Sequence, residues 1–150
     1  MQAPQFPIEH PTLHERVVTS FERQGMMRHL GARVLRVAPG EVLLWLPYSD
    51  KVTQQQDGFH GGAMGAIADI AGGYAGLTTA AEGMEVVTAE YKINLLGNHN
   101  SGALLATGRV VRSGRRLIIT AAEIEHLAED GSRKVCAVMQ QTLVPVPMTY

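Results

Sequence analysis

The spacing of apolar and polar residues changes period along the chain. Leu13, Val17, Val18 and Phe21 recur at helical spacing, with Thr12 placed as an N-cap and Glu15 three residues on, which predicts a short amphipathic helix over 12–25. Residues 32–37 and 41–46 read as two strands turned by Pro39-Gly40, and 49–59 as a polar loop. From 61 to 81 the only charge is Asp69, and the stretch predicts one long buried helix. The period then falls to two. Over 85–96, Val87, Ala89, Tyr91, Ile93 and Leu95 alternate with Thr88, Glu90, Lys92 and Asn94, as in a half-buried strand. Residues 103–112, 116–127 and 134–144 predict three further strands, joined by connections short enough to make them antiparallel neighbours. Pro145 and Pro147 are expected to end the sheet and leave a short tail. The expected architecture is α+β, with five or six antiparallel strands curving over one long helix.

Composition narrows the partners. A chain of 150 residues, 45% hydrophobic, is the size of one domain spanning 1–150, and a net charge of −1 gives no electrostatic basis for nucleic-acid binding. Cys136 is the one cysteine, which excludes an internal disulfide, and its apolar neighbours predict a buried, inert thiol. The first residues carry neither the basic run nor the apolar stretch of a signal peptide, so a cytoplasmic location is expected. The 61–81 stretch has membrane-span length, but its glycines and central Asp69 fit a buried helix of a globular protein better. There is no Gly-x-Ser-x-Gly elbow, phosphate-binding loop or dinucleotide fingerprint. His10 and His14 have the spacing of a helical metal pair, but Pro11 intervenes and no third ligand is evident, so no metal or cofactor is expected.

At 100° per residue the long helix has two faces. Ile67, Ile70, Tyr74 and Leu77 form a stripe expected against the sheet, and Gly62, Gly65, Asp69, Gly72, Gly73 and Gly76 occupy the opposite arc. Each interior glycine costs about 1 kcal/mol relative to alanine, so the arc must meet something closely. Either the sheet approaches there, or a second copy of the helix does; the latter is the favoured expectation. His60-Gly61-Gly62 places amide N–H groups at the helix start, where the macrodipole also favours negative charge, as an oxyanion hole requires. Asp69 lies eight residues further on, roughly 12 Å along the axis. One chain therefore cannot bring both to a single carbonyl, whereas two chains related by a two-fold axis can.

The run from Asp57 to Asp69, with Thr88-Ala89-Glu90-Tyr91-Lys92-Ile93-Asn94-Leu95-Leu96 and Gly108-Arg109-Val110-Val111-Arg112-Ser113-Gly114-Arg115-Arg116-Leu117, resembles hotdog thioesterases of the phenylacetic-acid-degradation type over about 28–144. The resemblance implies a hotdog fold that dimerises through a shared sheet, often as a dimer of dimers, and hydrolyses acyl-CoA thioesters without metal or cofactor. It implies that Asp69 is the catalytic acid, Gly61 the oxyanion donor, and Gln54 the residue orienting thioester or water, with His60 mainly holding the loop. Gly62 and Asn94, with Ser113, Gly114, Arg115 and Arg116, are the expected substrate contacts. The arginines around the Ser113-Gly114 turn supply donors of the kind that CoA phosphates need. A small, aromatic or medium-chain acyl group is expected. Rival functions on the same architecture are hydration or dehydration of the acyl chain and acyl-CoA binding without turnover.

Overall fold

The computed structural model describes all of residues 1–150. The N-terminal segment forms two helices, α1 (Pro11–Glu22) and α2 (Gly25–Leu30). The expected Thr12 cap is replaced by His10, which caps without a side-chain hydrogen bond, because Pro11 takes the first helical position, where its fixed φ suits the helix. α2 left no signal in the sequence: six residues are too few to show a period, and it stops at Gly31, which adopts φ 77°.

Strands β1 (Arg33–Ala38) and β2 (Glu41–Pro47) form the expected hairpin around Gly40. A single 3-10 turn, Asp50–Val52, interrupts the loop before helix α3 (Gly61–Leu77). α3 is four residues shorter than expected, because the Thr78 hydroxyl donates to Ala75 O at 2.6 Å and closes the last turn. The chain continues through β3 (Met84–Leu95), β4 (Ala103–Ser113), β5 (Ile118–Leu127) and β6 (Arg133–Pro147). All six strands make one antiparallel sheet in the order β1-β2-β4-β5-β6-β3. β6 runs through both prolines that were expected to end it. Beyond Leu143 it has lost β5 and pairs with β3 alone, and an edge tolerates a missing N–H.

The sheet curves around α3, and Val42, Leu44, Leu104, Ala106 and Ile124 close a core against Ile67, Ala68, Ala71 and Leu77. Contact is closest at β4, where a Cβ on Gly108 would overlap the backbone of Ala71 and Gly72. The same curvature corrects the expectation for the glycine arc. A Cβ on Gly65 would stand 3.1 Å from Tyr91 Oη of β3, one on Gly72 would overlap Gln141 of β6, and one on Gly76 would overlap Leu143 of β6. The arc is thus largely covered by the protein's own sheet rather than by a second helix; only Gly73 has open space. Tyr74, from the stripe assigned to the sheet, instead meets α1, 6.0 Å from Phe21 between ring centroids and hydrogen-bonded to Ser20 and Gln24.

Candidate active site

α3 starts where the chain leaves a tight loop. His60 N–H donates to Val52 O at 2.7 Å, and the His60 carbonyl accepts from Ala63 and Met64. Its Nδ1 accepts from Gly62 N–H at 2.8 Å, which caps the helix and leaves the ring proton on Nε2. His60 therefore ties the loop to the start of α3. Of the two amides expected at the helix start, Gly62 N–H is taken by this cap. Gly61 N–H, at the first helical position, has no partner in the chain. Gly61 lines a depression of about 390 Å³ together with Gln54, Phe59, Met64, Leu95 and Asn98. Gln54 is fixed there by backbone bonds to Gly58 and Asp57, and its side-chain oxygen accepts from Gln56 N–H.

Asp69 opens onto a different recess of about 500 Å³, shared with Ile70, Gly73, Tyr74, Val86 and Thr88. One carboxylate oxygen is held firmly: Thr88 Oγ1 donates to Oδ1 at 2.7 Å, and Gln141 Nε2 donates to the same oxygen. The other oxygen, Oδ2, has no partner in the chain. At the far wall, burial pushes the Tyr74 hydroxyl above its ordinary value, with Ser20 and Gln24 opposing, so the group stays protonated.

Thr88 and Gln141 were missed in the sequence for different reasons. Strict alternation puts Thr88 on the polar face of β3. In the structure the pairing with β6 slips between Thr88 and Glu90, and this bulge turns Thr88 toward α3 together with Tyr91 and Leu95. Gln141 did leave a signal, since it is a polar residue at an inward position of β6 between Met139 and Leu143.

The remaining expected residues are dispersed. Asn94 is exposed on β3, accepts from Lys92 Nζ at 2.7 Å and lines neither recess. Ser113, Gly114 and Arg115 line a third depression, of about 520 Å³, with Thr79 just past the end of α3 and Met84 at the start of β3. Arg116 is exposed beside it, whereas Arg109 is ion-paired with Glu41 at 2.8 Å. Cys136 is buried, and burial pushes its thiol up to about 11, which leaves it inert at neutral pH. No helix is long and apolar enough to cross a membrane.

Residues 58–131, which carry Gly61, Asp69 and Thr88, match the family described as the Thioesterase superfamily. A thioesterase family protein from Silicibacter pomeroyi is 34% identical, with 91% of this chain covering 99% of that one at a TM-score of 0.85. The chain belongs to the thioesterase superfamily. A Saccharolobus solfataricus protein assigned as an esterase is 33% identical over 106 residues, 71% of this chain and 74% of the relative. The E. coli protein from the phenylacetic acid degradation operon has the same fold, with a TM-score of 0.81 at 19% identity. Membership makes this hotdog protein a thioester hydrolase, as the sequence motifs implied.

Proposed function

We propose that the protein is an acyl-CoA thioesterase whose reaction centre is completed by a second copy of the chain, with Asp69 from one subunit facing Gly61 and Gln54 of the other. The observation that carries this reading is the opening of Asp69 and Gly61 onto separate recesses at opposite ends of an unpaired edge strand. β3 is that edge, twelve residues long, with Val87, Tyr91 and Leu95 between 41% and 51% exposed and Leu96 just beyond it 61% exposed. Such an edge is a template for another strand. Antiparallel pairing of two β3 strands about an axis at Lys92, with the bulged Ala89 left unpaired, sets Thr88 against Leu95 of the partner subunit. Thr88 is bonded to Asp69, and Leu95 is the closest side chain over Gly61. The pairing therefore brings carboxylate and amide to one place.

The thioester carbonyl accepts from Gly61 N–H at the helix start, where the negative charge of the tetrahedral intermediate is stabilised. Asp69 Oδ2 either takes a proton from the attacking water or attacks the carbonyl carbon to form an anhydride that water then opens. In both routes the C–S bond breaks and CoA leaves as a thiolate, to be protonated. The lone cysteine, buried and without a disulfide partner, suits a reducing compartment, and a cytoplasmic site of action is part of the proposal.

Thiol release from a panel of short, aromatic and medium-chain acyl-CoAs tests the reading. Hydrolysis of at least one ester with ordinary turnover supports it; tight binding without release, or hydration without release, replaces it with one of the rival functions.

The hairpin at Ser113-Gly114 is the proposed seat of the CoA phosphates. Reversing the charge of Arg115 and Arg116 together is expected to raise KM for CoA esters about tenfold or more. The matching pantetheine ester, which lacks the nucleotide phosphates, should be little affected. Equal effects on both esters would assign the hairpin to solvent.

A further inference from the structure

We infer that Gln141, anchored by Thr120, is a positioning residue that fixes which oxygen of Asp69 is left for chemistry; this rests on Asp69 being the catalytic carboxylate, as proposed above. Gln141 is 0% exposed and occupies a position of β6 whose neighbours on the same face, Met139 and Leu143, are core side chains. An unpartnered amide would be strongly unfavourable there. Instead its polar atoms are all engaged. Oε1 accepts from Thr120 Oγ1 at 2.8 Å, and Thr120 is itself 0% exposed. Nε2 donates to Asp69 Oδ1, to Asp69 O at 3.2 Å and toward Thr88 Oγ1 at 3.0 Å.

Chemistry permits only one orientation of this amide. The carboxylate and carbonyl of Asp69 are acceptors alone, so the NH₂ end must face them, and the Thr120 hydroxyl, able to donate or accept, donates to the oxygen end. Helix α3 makes room for the relay. A Cβ on Gly72, about one turn after Asp69, would overlap Gln141 Oε1 and stand 2.8 Å from Thr120 Oγ1. Glycine is a poor helix residue, and the relay beneath it accounts for its presence at this position. With Oδ1 bound by two donors, Thr88 and Gln141, rotation of the carboxylate is blocked and Oδ2 is the oxygen presented to substrate.

The test uses the full chain and the best acyl-CoA of the panel. Gln141→Met, close in volume and without a donor, is expected to lower kcat by about 10- to 100-fold with KM changed less than about twofold. In an Asp69→Asn background the same substitution should cause no further loss, because Gln141 acts only through Asp69. An unchanged kcat, or a full additional loss in that background, overturns the inference. Asp69→Asn with ordinary turnover instead overturns the reading on which it rests. If Gln141→Met does not fold, Thr120→Val takes its place, since it removes only the anchor: kcat should fall with KM little changed and with no further loss in the Asp69→Asn background, and an unaltered kcat overturns the inference.

Discussion

Asp69→Asn is expected to reduce kcat by about 10²- to 10⁴-fold, the span attributable to a positioned acid–base group, while leaving thermal stability and dimerisation close to those of the parent protein. The separation of the two effects follows from the local bonding. Both donors on the carboxylate, Thr88 Oγ1 and Gln141 Nε2, converge on Oδ1, and an asparagine oxygen in that place accepts from both. The atom that changes character is the other one. Oδ2, without a partner in the chain, becomes an NH₂ group that can neither attack a carbonyl nor remove a proton from water. Turnover of a good acyl-CoA, read beside a melting curve and sedimentation of the same preparation, checks all three quantities. Near-normal turnover would remove Asp69 from the chemistry and with it the proposed reaction centre.

Positions that depend on local spacing were legible in the sequence, and those that depend on the curvature of the sheet were not. His60, Gly61 and Asp69 lie on or at the start of one helix, so their order and separation could be derived from the rise per residue, and the proposal of a centre shared between two chains starts from that separation. The strands showed in their two-residue period, and their antiparallel arrangement in the short turns. The occupants of the glycine arc could not be read in this way. β3 and β6 reach Gly65, Gly72 and Gly76 only because the sheet wraps the helix, and no local pattern encodes the degree of wrapping. One bulge was enough to hide Thr88, since a slip by a single residue exchanges the faces of a strand. Gln141 was accessible in principle: a glutamine where alternation requires a core side chain is a polar group that must have partners, and its nearest are those of Asp69.

Gly61→Pro provides the second large effect, because proline deletes one N–H at a position that otherwise accommodates it. Gly61 is the first residue of α3, where proline is tolerated, and His60 before it has φ −66° and ψ 133°, the extended conformation that a following proline favours. The ring must displace the flexible end of Leu95, whose Cδ1 would lie 2.7 Å from the new Cβ. If that amide is the oxyanion donor, kcat should fall by about 10²- to 10³-fold, the usual cost of losing one such donor. Gly61→Ala, which makes the same side-chain contact but keeps the N–H, separates this from the cost of moving Leu95 and should retain most of the activity. Equal losses in the two variants would deny the amide its role. The pair of defects also tests where the reaction centre is assembled. Asp69→Asn and Gly61→Pro subunits, each nearly inactive alone, should regain about a quarter of parental activity after random reassortment, since half the dimers are mixed and each of those has one intact site of two. A centre contained within one subunit predicts the opposite: separately mutated subunits would stay inactive in any mixture, because neither chain carries both the carboxylate and the amide.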